Sequence, residues 1–176
     1  MVIANKSIQI EYKGILLKGE FSYSAKDLVV CLDTPHTNLR NGVHIPYMAP
    51  KQWTDDQAEI RAKEIIIELW DFYCLVLSHK EEIVGVLPLV EEKRFLLEKE
   101  RNTEKQEIQR LKNLLKEGSI TNVEYQQSYM PHKERCWNIE REMKRFFENA
   151  ILDILKDGFV PLDNLENVIR TIVNLE

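Results

Sequence analysis

The residues best suited to chemistry are Asp33, His36, Arg40 and His44, with Cys31 just before them. Two imidazoles and a carboxylate can hold a metal ion, and the same histidines could position a substrate. Eight residues separate the two histidines, whereas metal sites gather their ligands at tight spacing. Cys31 with His36 or His44 could form a nucleophile and base pair. But Cys31 closes an apolar run, Leu28-Val29-Val30-Cys31-Leu32, which suits a small buried thiol better. The expectation is no catalytic, cofactor or metal residue here, with Asp33, His36, Arg40 and His44 kept as loop candidates for ligand or partner recognition. His79 and His132 fall beside helix ends, where a polar ring meets backbone carbonyls or solvent. Gly14, Gly19 and Gly42 are isolated, and neither phosphate-cradling glycine motif occurs.

A second set of candidates is surface charge and aromatic rings. Glu100, Arg101, Glu104, Lys105 and Arg110 lie in one charged stretch, and Tyr125, Tyr129 and Trp137 lie in the segment that follows. Residues 91–148 hold 13 basic and 12 acidic groups, so the charge is dense but nearly neutral. Interleaved signs mark solvated helix faces. The net charge is −5, opposite to that of most proteins that hold nucleic acid by bulk electrostatics. Lys133, Arg135, Arg141, Lys144 and Arg145 around Trp137 keep that reading open. Tyr12, Phe21 and Tyr23 would then supply stacking rings.

The elements that must position these groups follow from periodicity. Residues 2–33 read as three strands in an antiparallel meander. Ile8, Ile10 and Tyr12 alternate with polar neighbours, Gly14 offers a turn, and Ile15, Leu17, Gly19 and Phe21 continue the period of two. Residues 33–53 read as a loop, punctuated by Pro35, Gly42, Pro46 and Pro50. Thr54-Asp55-Asp56-Gln57 is a capping box, and Ala58, Ala62, Ile65, Ile66, Leu69, Tyr73 and Val76 make a buried helical stripe after it. Ser78–Glu81 repeats the box pattern, and Pro88 predicts a break with a new helix over about 88–117.

That helix begins and ends apolar, but Glu98–Glu107 has no apolar residue. A section polar all round predicts an unburied middle in an arm of roughly 45 Å. Gly118 and the Thr121–Glu124 box predict a sharp turn. The returning helix carries Cys136, Ile139, Met143, Phe146, Ala150 and Ile154, with a bend at Pro131. A last short helix follows, capped by Asp163.

The expected fold is α+β and mostly helical: a small N-terminal antiparallel β-meander packed on a helical bundle, with a long projecting antiparallel helical hairpin. Residues 1–53 form the meander and loop, and 54–176 the helical domain, with the hairpin at about 88–148. No apolar stretch is long enough for a membrane span. Three scattered cysteines suit a reduced, cytoplasmic protein. The functional expectation is a non-enzymatic adaptor, inhibitor or accessory subunit. Its partner would be another protein chain, possibly itself, and no membrane or cofactor. A nucleic-acid accessory role is the alternative.

Overall fold

The computed structural model describes residues 5–46, 48–49, 51–162 and 164–174. The expected cap at Asp163 and the strand reading of residues 2–4 lie outside them. The chain is α+β and mostly helical. Four strands come first: β1 (Lys6–Tyr12), β2 (Ile15–Tyr23), β3 (Asp27–Asp33) and β4 (Asn38–His44). Four helices follow: α1 (Asp55–Ser78), α2 (Lys80–Lys116), α3 (Asn122–Leu155) and α4 (Leu165–Val173), with a 3-10 turn at Lys156–Gly158 before the last. The chain divides into two compact units, one of residues 1–83 with 154–176 and one of residues 84–153.

In the first unit the strands pair in sequence order, all antiparallel. Lys13 and Gly14 join β1 to β2, both at positive φ, as a two-residue hairpin requires. The inner face carries Ile8, Leu17, Phe21, Tyr23, Leu28, Val30, Leu32 and Leu39, all buried. Helix α1 covers it with Ala58, Ala62, Ile65, Ile66, Leu69, Phe72, Tyr73 and Val76. Thr54 caps α1, its hydroxyl accepting from the Gln57 N–H at 3.4 Å. Tyr12 and Lys13 fix the β1–β2 turn to this helix through Asp71, at 2.8 and 3.1 Å. Helix α4 buries Leu165, Ile169, Ile172 and Val173 and packs on α1.

The stretch expected as loop contains β4. Leu39, Asn41 and Val43 alternate inward, but Asn, Arg, Gly and His between them hide the pattern. Pairing with β3 makes the strand, despite its poor intrinsic preference. Beyond it the chain is tied down by Lys26, whose ammonium donates to the Ala49 and Lys51 carbonyls at 2.6 and 2.7 Å.

In the second unit α2 and α3 form a hairpin. Its loop is a complete Schellman motif: Ser119 N–H bonds the Leu114 carbonyl, Gly118 N–H bonds that of Leu115, and Gly118 has φ +72°. The Thr121 box is also complete, with Glu124 N–H donating to the hydroxyl at 3.3 Å and Thr121 N–H to the Glu124 carboxylate at 2.8 Å. Thr121→Ala is therefore expected to lower the melting temperature of the hairpin, at a cost of about 1 kcal/mol. An unchanged melt by circular dichroism would mean the box does not hold the loop.

Two expected interruptions are absent. Helix α2 starts at Lys80 and runs through Pro88, and α3 runs through Pro131. Both prolines are exposed, as are Val84 and Gln127, whose carbonyls lose their partners, so water can serve them. The Ser78 hydroxyl does not cap α2. It donates back to the Leu75 carbonyl at 2.8 Å.

Candidate functional site

The Asp33–His44 candidates are spread along β4 rather than gathered. Asp33 ends β3 opposite Asn38. His36 sits in the turn, its Nδ1 hydrogen-bonded to the hydroxyl of buried Tyr73. Arg40 stands opposite Cys31, and His44 pairs with Asp27 at 2.7 Å from the far end of the strand. A seven-residue strand is about 20 Å long, so one ion cannot reach both histidines. Among the described residues no group of three or more His, Cys, Asp or Glu side chains could hold a metal. Burial pushes the Cys31 thiol above its ordinary pKa, the reverse of an activated nucleophile.

The candidates on α2 and α3 are arranged by a heptad. On α2, Val90, Arg94, Leu97, Arg101, Glu104, Ile108, Leu111 and Leu115 are spaced four and three apart, and none is exposed. On α3, Tyr125, Tyr129, His132, Cys136, Ile139 and Met143 follow the same spacing. This is the seam of an antiparallel coiled coil. The expectation of an unburied polar middle is corrected here. Arg101 and Glu104 occupy core positions of the seam, and polar partners on α3 accommodate them.

Glu104 is the centre of that layer, with its side chain only 16% exposed. It accepts from His132 Nδ1–H at 2.5 Å and from Arg135 at 3.2 Å. The His132 bond, followed by Arg135, holds the Glu104 carboxyl below the usual range despite burial. Arg101 reaches Glu140 at 3.5 Å, while its Nε is buried without a hydrogen-bond partner among the described residues. Lys93 bridges to Glu142 at 2.8 Å nearer the root of the hairpin. Such bonds cannot be satisfied at another register, so the polar layer fixes how the two helices slide against each other. Glu100 lines a shallow groove of about 330 Å³ beside this layer, with Thr103, Arg135, Asn138, Ile139 and Glu142.

Of the remaining candidates, Arg110, Lys105 and Trp137 lie outside the seam, and Tyr125 and Tyr129 at its loop end. Arg110 pairs within its own helix, with Glu107 at 2.8 Å, and Lys105 is exposed. Tyr125 and Tyr129 stack at 5.3 Å, and Lys133 lies over both the Tyr129 and Trp137 rings. Sequence reading missed Phe95 and Met130 as partner candidates. Phe95 is 68% exposed, Met130 45% and Trp137 49%. For Met130, the seven-residue spacing from Val123 and Trp137 was the available signal.

Of the proposed nucleic-acid contacts, Phe21 and Tyr23 are buried in the sheet core and offer no ring face to a base. Arg135 and Lys144 are engaged by glutamates, and Arg141 donates to Asn138 at 2.5 Å.

Comparison with known proteins finds no family that matches this chain, and no curated protein or solved structure that is similar to it.

Proposed function

We propose that this protein is a non-enzymatic interaction module, an adaptor, inhibitor or accessory subunit whose helical hairpin binds another protein chain. The observation that supports this is the outer surface of α2 and α3. Phe95 on α2, and Val123, Met130 and Trp137 on α3, are large, apolar and exposed on one side of the hairpin, with Leu89 and Leu96 exposed on the other. Scattered exposed apolar residues are ordinary, but repetition along two helices marks a face shaped for a partner. The polar layer at Glu104 keeps that face in one register. Three cysteines without disulfides suit a reducing compartment such as the cytoplasm. No helix among the described residues is long and apolar enough to cross a membrane.

Site-specific photo-crosslinking in cells tests the proposal. A photoreactive residue at Phe95 or Trp137 is expected to trap another protein chain. The same residue at Lys18 or Glu20, on the open sheet face, is expected to trap none. Crosslinks formed only from the sheet would sink the hairpin reading.

A further inference from the structure

The seam heptad also fixes what lies on each outer face of the hairpin. In an antiparallel pair, positions of the same heptad letter on the two helices share a face. Lys93 and Glu142, both immediately before a seam residue, accordingly bridge on one side. The opposite side carries Glu91, Glu98, Lys105 and Lys112 from α2, and Lys133 and Glu140 from α3. The cross-helix pairs set Glu98 roughly level with Glu140, and Lys105 roughly level with Lys133. This face is therefore mainly acidic in the half toward the root, where Lys144 is held by Glu148 of its own helix, and basic in the half toward the Gly118 loop.

The apolar residues of that face follow the same division. Phe95 lies in the root half on α2. Val123, Met130 and Trp137 run on α3 from the loop to the middle, seven residues apart, or about 10 Å per step. Phe95 is as far from the middle on one side as Met130 is on the other.

We propose that this face binds a second copy of the same chain, head to tail, about a two-fold axis near Trp137. The proposal rests on the hairpin being the interaction surface. A two-fold axis there places Glu98 against the second copy's Lys105, Glu91 against its Lys112, and Glu140 against its Lys133. Each contact occurs twice, as an isologous interface demands. Charge complementarity argues for a copy rather than an unrelated chain. The acidic and basic halves match each other about one point, and a parallel pairing would set like charges together.

The test is the solution mass of the full chain by sedimentation equilibrium at tens of micromolar, with two charge-reversed variants. One is Lys105→Glu with Lys112→Glu, and the other is Glu91→Lys with Glu98→Lys. The wild type is expected at twice the chain mass. Each variant alone is expected to dissociate, its Kd raised roughly a hundredfold, because four attractions become repulsions. The two variants mixed in equal amounts are expected to return to the two-chain mass. All the changed side chains are exposed, so the helical circular dichroism signal should be retained. Trp137→Glu, with a single change at the axis, is expected to dissociate the wild-type pair as well. A single-chain mass for the wild type overturns the proposal, as does a pair unaffected by either reversal or variants that fail to rejoin. If such a single chain is still trapped by other proteins through Phe95 or Trp137, the interaction reading stands and only self-pairing falls.

Discussion

Gly19→Ala is expected to destabilise the sheet and its covering helix by roughly 3 kcal/mol, lowering the urea midpoint sharply. Gly19 lies on the inner face of β2, opposite Leu32 and under α1. A Cβ built there collides with the carbonyl oxygen of Cys31 and comes within 3.1 Å of Ile66 Cδ1. The first obstacle is backbone in a paired strand, which cannot yield without opening the β2–β3 ladder. The second belongs to a fully buried side chain. A loss of that size is a large share of a typical 5–15 kcal/mol stability. Gly85→Ala is the control. Gly85 is inside α2, and a Cβ there meets nothing within 4 Å. That substitution is expected to stabilise by about 0.5–1 kcal/mol through helix propensity. If both changes left the midpoint alone, the close approach of α1 to β2 would be wrong.

Glu104→Ala is expected to cost the hairpin roughly 2–3 kcal/mol, because it strands His132 and Arg135 at a half-closed seam. Glu104→Gln keeps the volume but loses the charge, and isolates the electrostatic part. The depressed carboxyl gives that part a pH signature. Its contribution is present above the unfolded-state value near 4.5 and is lost as pH falls through the lower folded value. The difference between wild type and Glu104→Gln should thus be smaller at pH 3.5 than at pH 7. Thermal melts at pH 7 and pH 3.5 decide the matter. An equal difference at both would mean that the carboxylate is not held by His132 and Arg135.

Much of the fold is legible locally. The Thr54 and Thr121 boxes, Gly14 and Gly118 act within a few residues of themselves, so the sequence alone places those caps and turns. The α1 stripe is likewise a one-helix pattern, although Phe72, fully buried, falls outside the residues its spacing selects. β4 is illegible because its strand character resides in β3, whose ladder it completes. The uninterrupted passage of α2 and α3 through Pro88 and Pro131 depends on solvent being available at those turns.

The candidate site divides the same way. Glu100, Arg101, Glu104, Lys105 and Arg110 are conspicuous as charges, and charge density alone makes the middle of α2 read as unburied. Heptad spacing continues through Arg101 and Glu104, but a polar residue at a core position gives no sign of itself until its partner is known. His132 and Arg135 are about thirty residues away in the chain, and only the return of α3 brings them to Glu104. The scatter of His36 and His44 is also a tertiary result, since a loop could have gathered what an extended strand holds apart. The sequence by itself determined the start of α1 at Thr54 and the turns at Gly14 and at Gly118–Thr121, because those choices are made by neighbouring backbone groups. The tertiary structure alone decided which polar residues are core and which apolar residues are left outside, because burial is a property of the second helix as much as of the first.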